Sequence, residues 1–340
     1  MKKVVVMILN WNGKALMEQF LPSVIAHTPG ELADIVVADN GSTDQSVEML
    51  REKFPSVRLI LFDRNYGFAE GYNRAVAQTD APYTVLLNSD VEVTPHWLDA
   101  PLRALDGDAG IAGVQPKIRD RKNRLRFEYA GAAGGFIDRY GYPFCRGRIL
   151  SRVEEDHGQY DVTRDIFWAS GACFFIRTDV YKNEGGLDAG FFAHQEEIDL
   201  CWRLRARGYR LVCTTQSVVY HVGGATLNVE SPQKTFLNFR NNLLMVYKNM
   251  PEKELAQVMR LRFWLDYLAA ARFLLTGHGA NAYAVHRARK AFGQLKKTYL
   301  SARRENLSKT IAYPVPEMLR SNLLLSFYLK GRKTFAKMYP

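Results

Sequence analysis

Three apolar runs within residues 4–87, each stopping in polar residues of the same kind, constrain this chain more than any other feature. Val4 to Leu9 leads into Asn10-Trp11-Asn12-Gly13, Ile35 to Ala38 into Asp39-Asn40-Gly41-Ser42-Thr43-Asp44, and Tyr83 to Leu87 into Asn88-Ser89-Asp90. Each run has the length and β-branched content of a strand and gives way to helical spacing. Helices are predicted near Lys14–Ala26, Asp44–Lys53, Ala69–Gln78 and Pro95–Leu105, with Pro95 in a first turn, where its missing N–H costs nothing. Alternation of this kind predicts an α/β domain, Rossmann-like, with a mostly parallel sheet covered on both faces. Strand ends in such a sheet deliver polar side chains to one crevice.

A second concentration of chemistry lies at Phe191 to Arg203, where Glu196, Glu197 and Asp199 crowd the start of a helical pattern. Acids there either complement the positive end of a helix dipole, worth about 0.3–1 kcal/mol each, or include a general base. Ile198, Cys201 and Trp202 mark a buried stripe, with Glu197 on its edge and Glu196 about 100° away, facing solvent or standing behind the base.

Residues 119–165 break the rhythm with Gly131, Gly134, Gly135, Gly141 and Gly147, while Phe127, Tyr129, Phe136, Tyr140, Tyr142 and Phe144 argue for packed hairpins. Arg146 and Arg148 are candidate phosphate contacts or a solvated surface pair. Trp168, in the Ile166–Ile176 run that returns to the sheet, is a candidate binding platform or a core residue.

Charge divides the chain unevenly. From Arg240 onward there are 19 Lys/Arg against 5 Asp/Glu, a net +14, whereas the preceding residues carry 27 against 30. Helical spacing continues over Pro232–Tyr247, Leu255–Leu275 and Asn281–Arg304. No zinc-finger or RNA-recognition spacing accompanies the basic tail, so nucleic acid is not expected as a partner and an anionic membrane surface is. Met1-Lys2-Lys3 with the short run after it reads as the start of a first strand rather than a leader, and no run is long enough to span a bilayer. Cys145, Cys173, Cys201 and Cys213 lack paired close spacing, so reduced thiols and a cytoplasmic location, peripheral on the membrane's inner face, are expected.

At these residues the chain resembles the family 2 glycosyltransferases, inverting enzymes of the GT-A fold. The resemblance is carried by Asn10-Trp11-Asn12, Val37 to Asp44, Asn65-Tyr66-Gly67-Phe68-Ala69 with Asn73, Asn88-Ser89-Asp90, Glu196 to Leu200, His221-Val222-Gly223-Gly224 and Arg240-Asn241. It is greatest to bacterial rhamnosyltransferase-like members that build surface polysaccharides or lipid-linked glycans. The resemblance implies a GT-A domain over 1–235, with 119–165 as an irregular insertion on the acceptor side and Trp168 as a candidate acceptor platform, and a basic helical extension over 236–340. It implies a UDP-, dTDP- or GDP-linked sugar donor, a glycan or lipid-linked acceptor, and a divalent manganese or magnesium ion.

By the same resemblance, Asp90 and His221 would hold the metal, and Asp39 would bond the nucleobase, unless it serves the Asn40-Gly41 turn. Asn10, Asn12, Gly67, Asn73, Asn88 and Ser89 would line the nucleotide-sugar. Arg240 would touch phosphate or stay solvated. The family has an acid where Asn88 stands, and Glu197 stands where its second acid, the base, is an aspartate; Glu196 is the competing base. A nucleotidyltransferase and a non-catalytic glycan-binding or scaffold protein are the alternatives. The former needs a glycine-rich phosphate loop, for which Asn10-Trp11-Asn12-Gly13-Lys14 is a poor substitute.

Overall fold

The computed structural model describes residues 2–223 and 231–339; Gly224, part of the motif at His221, lies outside the described residues. The strands are β1 (Val4–Asn10), β2 (Ala33–Asp39), β3 (Arg58–Leu61), β4 (Tyr83–Asn88), β5 (Val91–Val93), β6 (Ile111–Asp120), β7 (Gly135–Asp138), β8 (Pro143–Cys145), β9 (Arg148–Ile149), β10 (Arg152–Val153), β11 (Arg164–Asp165), β12 (Cys173–Arg177), β13 (Arg210–His221) and β14 (Met318–Leu319). The helices are α1 (Lys14–His27), α2 (Ser46–Lys53), α3 (Gly67–Val76), α4 (Asp99–Gly107), α5 (Thr178–Asn183), α6 (Glu196–Ala206), α7 (Pro232–Asn249), α8 (Glu252–Leu275), α9 (Gly279–Leu295), α10 (Leu300–Ser308), α11 (Leu323–Tyr328) and α12 (Phe335–Met338).

The main sheet runs β11-β13-β6-β12-β4-β1-β2-β3, with β5 paired to β13. Strands β4, β1, β2 and β3 are parallel, which suits runs buried on both faces such as Val4–Asn10. The expectation of a mostly parallel sheet is corrected to a mixed one: β12 is antiparallel to both β4 and β6, and β13 pairs antiparallel with β5 and β11 while staying parallel to β6. Pro95 is also corrected. It lies in a turn, and the helix begins at Asp99.

The register aligns the functional strand ends. Asn10 on β1 pairs with Asp39 on β2, and Leu9 pairs with Asn88 on β4. Residues 135–153 form the second sheet, β10-β9-β8-β7-β14, whose last strand comes from the tail. The larger hydrophobic cluster runs through position 235: Leu200 and Trp202 of α6 share it with Leu243, Met245, Val258 and Phe335. Tail helices therefore complete the core beneath α6, where burial of each large apolar side chain contributes about 1.5–3 kcal/mol.

Candidate active site

At the ends of β1 and β2 the side chains tie two loops together. Asn10 Nδ2 donates to Asp39 Oδ1 at 2.9 Å and to Ser42 Oγ at 3.2 Å, while Asp39 Oδ2 accepts the Ser42 N–H at 2.9 Å. Asp39 thus serves the turn, as one reading of the sequence had it, and each of its oxygens keeps a further lone pair. Asn12 Oδ1 accepts the Thr43 N–H at 2.7 Å, and the buried Asn10 Oδ1 has no hydrogen-bond partner among the described residues. Gly41, at φ +72°, lies where a Cβ would come within 2.6 Å of the Arg64 backbone, so the β2 loop can approach the β3 loop only with glycine.

At the end of β4, Asp90 Oδ1 lies 3.0 Å from His221 Nε2, and Asn88 Nδ2 lies 3.5 Å from the same nitrogen. Ser89 Oγ faces Gly13, 3.9 Å from where a Cβ there would stand. The other ring nitrogen, His221 Nδ1, is 3.3 Å from Glu128 Oε1 and has no hydrogen bond among the described residues. Burial alone would lower the imidazole's pKa, but Glu128 and Asp90 hold it up to about 10. The two buried carboxylates thus favour a positive charge between them, which a divalent cation would equally supply. Among the described residues no group of three or more His, Cys, Asp or Glu side chains could hold a metal. A pair such as Asp90 and His221 suits an ion that takes its remaining oxygens from substrate phosphates and water. The donor set fits manganese or magnesium on those terms.

The third part of the site is the entrance to α6. Among its acids Asp199 is spent in the fold, accepting from Lys248 Nζ at 2.8 Å, Asn249 Nδ2 at 2.8 Å and Arg203 Nε at 3.1 Å. Glu196 and Glu197 each keep one oxygen, Oε2, buried without a partner among the described residues. Burial, and then the neighbouring Glu197, hold Glu196 well above the usual carboxylate range; burial pushes Glu197 up to about 7. The stripe reading is corrected here. Glu196 is 4% exposed and nearly all of α6 is buried, because the tail helices cover its outer face, whereas Glu197 is the half-buried one. Burial, with the Lys234 charge adding to it, pushes the His194 imidazole down to about 4 just before the pair.

Several expected contacts are occupied by the protein itself. Trp168 is 2% exposed and its indole N–H donates to Phe136 O at 2.8 Å, which makes it core rather than an acceptor platform. Arg146 and Arg148 are neither phosphate contacts nor a solvated pair: both are buried, donating to the carbonyls of Ala133 and Val162 and of Tyr129, respectively. Asn73 bonds the backbone of Leu187 through both ends of its amide and accepts the Tyr181 hydroxyl, which leaves it facing the fold instead of a nucleotide. Gly67, at φ +79°, sits under the Phe192 ring, where a Cβ would meet it at 2.5 Å. Arg240 donates to the carbonyls of Gly190 and Phe191. Sequence reasoning missed Glu128, which lies in a segment without periodicity. It also missed Asn40, whose amide bonds Asn65 Oδ1, Gly67 O and the Tyr66 N–H and so shapes the start of α3.

Known proteins resemble this chain in sequence and in fold. The model of glycosyl transferase family 2 matches residues 5–185. An N-acetylglucosaminyl-diphospho-decaprenol L-rhamnosyltransferase of Mycobacterium tuberculosis is 28% identical over 227 residues, covering 60% of this chain and 71% of that protein. Among solved structures, GalNAc-T7 with UDP, GalNAc and Mn2+ aligns with a TM-score of 0.57 at 16% identity, over 93% of this chain and 59% of that one. The mannosyltransferase PcManGT of Pyrobaculum calidifontis, in complex with GDP-Man and Mn2+, aligns with a TM-score of 0.52 at 15% identity, over 91% of this chain and 86% of that one. Both have the fold found here. Because the sequence match takes in the strand ends at Asn10, Asp39 and Asp90 and extends over more than half of the residues, this chain belongs to glycosyl transferase family 2.

Proposed function

We propose that this glycosyltransferase moves a hexose or deoxyhexose from a nucleotide-diphosphate sugar to a hydroxyl of a glycan or lipid-linked acceptor in cell-surface polysaccharide synthesis, inverting the anomeric centre in a single displacement. The observation that carries this reading is the carboxyl of half-buried Glu197, with one oxygen unpartnered among the described residues and a pKa pushed up by burial to about 7. Glu197 takes the proton of the acceptor hydroxyl. Asp90 and His221 hold a divalent cation, which when bound supplies Lewis-acid stabilisation of the departing diphosphate. Asn10, Asn12, Asp39, Asn88 and Ser89 orient the nucleotide and sugar. The relative's diphospho-decaprenol name supports a lipid-linked acceptor. Residues 1–235 carry this chemistry, and 236–340 complete the core and present the membrane face.

A base near pKa 7 fixes the pH dependence of transfer. The carboxylate form is the active one, so kcat/KM should be level above about pH 7 and fall roughly tenfold per unit below it. Initial rates measured from pH 5 to pH 9 test this. A limb near 4.3, the ordinary glutamate value, would rule Glu197 out in its buried state.

The outer face of the tail suits an anionic lipid surface at the cytoplasmic leaflet. On α8, Trp264, Leu268 and Leu275 lie on one exposed stripe. Arg272 Nη1 donates to Tyr328 Oη at 3.0 Å, which joins that helix to α11, where Leu325, Tyr328 and Leu329 are exposed ahead of exposed Lys330, Arg332 and Lys333. Among the described residues no helix is long and apolar enough to cross a membrane. Part of the tail's charge is internal, as with Arg262 and Arg289 on buried Asp266, and only the exposed cations can attract lipid, at about 1 kcal/mol each. Vesicle sedimentation should show salt-sensitive binding to phosphatidylglycerol, weakened at least tenfold by Trp264→Ser with Leu268→Ser. Equal binding to neutral and anionic vesicles, or to neither, would contradict it.

A further inference from the structure

The chain just before α6 is bent in a way that only its surroundings can hold. Phe192, His194 and Gln195 have φ of +66°, +71° and +75°, three left-handed residues in four with no glycine among them. Each such residue is disfavoured and persists only where packing and hydrogen bonds over-determine it. The next two residues are Glu196 and Glu197, so this bend sets where their carboxyls stand.

One side chain meets most of the bend. Asn241 on α7 is fully buried, and its Nδ2 donates to Phe191 O at 2.9 Å, Ala193 O at 2.9 Å and His194 O at 2.8 Å. Its Oδ1 accepts Arg240 Nε at 2.8 Å, and that guanidinium reaches Gly190 O at 3.1 Å and Phe191 O at 3.0 Å. Asn242 Nδ2 donates to Gln195 Oε1 at 3.1 Å. From the opposite side, Phe192 O accepts the Phe68 N–H at 2.8 Å and the Ala69 N–H at 3.3 Å from the first turn of α3. The bend is thus clamped between α7 and α3.

We propose that Asn241, braced by Arg240, is a positioning residue for the base: it holds residues 191–195 in the left-handed bend and thereby fixes Glu197 against the acceptor hydroxyl. The role rests on the reading of Glu197 as the base. It also accounts for consecutive Arg240 and Asn241 without any contact to substrate. An amide fits because it offers two N–H groups to converging carbonyls and an acceptor to the arginine, which leucine, of nearly equal size, cannot do.

The test compares Asn241→Leu and Arg240→Met with the unaltered chain in three readouts. For Asn241→Leu, kcat should fall by about 100-fold while the dissociation constant of a nucleotide-sugar stays within threefold. The acidic limb of the pH profile should move from about 7 toward the ordinary glutamate value as the pocket loosens. Amide hydrogen exchange over residues 191–197 should accelerate at least tenfold. Arg240→Met should lower kcat by about tenfold, move the limb the same way by less and accelerate exchange over residues 191–197 about threefold, and it decides the matter if Asn241→Leu does not fold. A loss of kcat with the limb unmoved and residues 191–197 still protected would overturn the proposal. If the unaltered chain transfers from no donor, the reading of Glu197 fails separately, and unchanged exchange in the variants would still overturn the clamp.

Discussion

Glu197→Gln is expected to lower kcat by about 10²–10⁴-fold while leaving the dissociation constant of the nucleotide-sugar nearly unchanged. Glutamine keeps the volume of the half-buried side chain but cannot take a proton. Glu196→Gln should be much milder, because Glu196 lies deeper in the fold, 4% exposed, and its burial and the adjacent Glu197 both oppose its ionisation. Single-turnover rates together with calorimetric donor binding separate the two. Near-normal turnover in Glu197→Gln with a dead Glu196→Gln would exchange the roles.

Asp90→Ala should abolish both activity and tight donor binding, a loss of about 10³-fold or more in kcat/KM, because it removes the only carboxylate of the pair proposed to hold the cation. His221 would remain beside Glu128, so the fold should survive. Titration calorimetry with manganese, alone and with a nucleoside diphosphate, measures the effect without relying on turnover. Unchanged manganese affinity in Asp90→Ala would place the ion elsewhere.

The strand ends were legible because a parallel, doubly buried strand is a short apolar run, and its last residue is set by where that run stops. Asn10, Asp39 and Asn88 follow from that rule, and the pairing of Asn10 with Asp39 follows from register. The family and the fold came from the joint order of those motifs. What stayed hidden depends on contacts between distant residues. β14 pairs Met318 with Ile137, and neither of the short strands involved carries a periodic signal of its own. Arg146 and Arg148 read as phosphate contacts or surface cations in a charged segment, yet both are buried and donate to backbone carbonyls. Trp168 could have been either core or platform until Phe136 O was found within reach of its N–H. The face of α6 was misjudged because its outer side is covered by helices of the tail, beginning with α7, that follow later in the chain.

Release of nucleoside diphosphate from a panel of UDP-, dTDP- and GDP-sugars, with manganese and a lipid-linked acceptor, tests the central claim most directly. The expected result is release from at least one donor, coupled to a product of inverted anomeric configuration, abolished by excess chelator and restored by manganese. Pyrophosphate release would point instead to nucleotidyl transfer, binding without turnover on every donor to a non-catalytic protein, and full transfer in excess chelator would contradict a cation at Asp90 and His221.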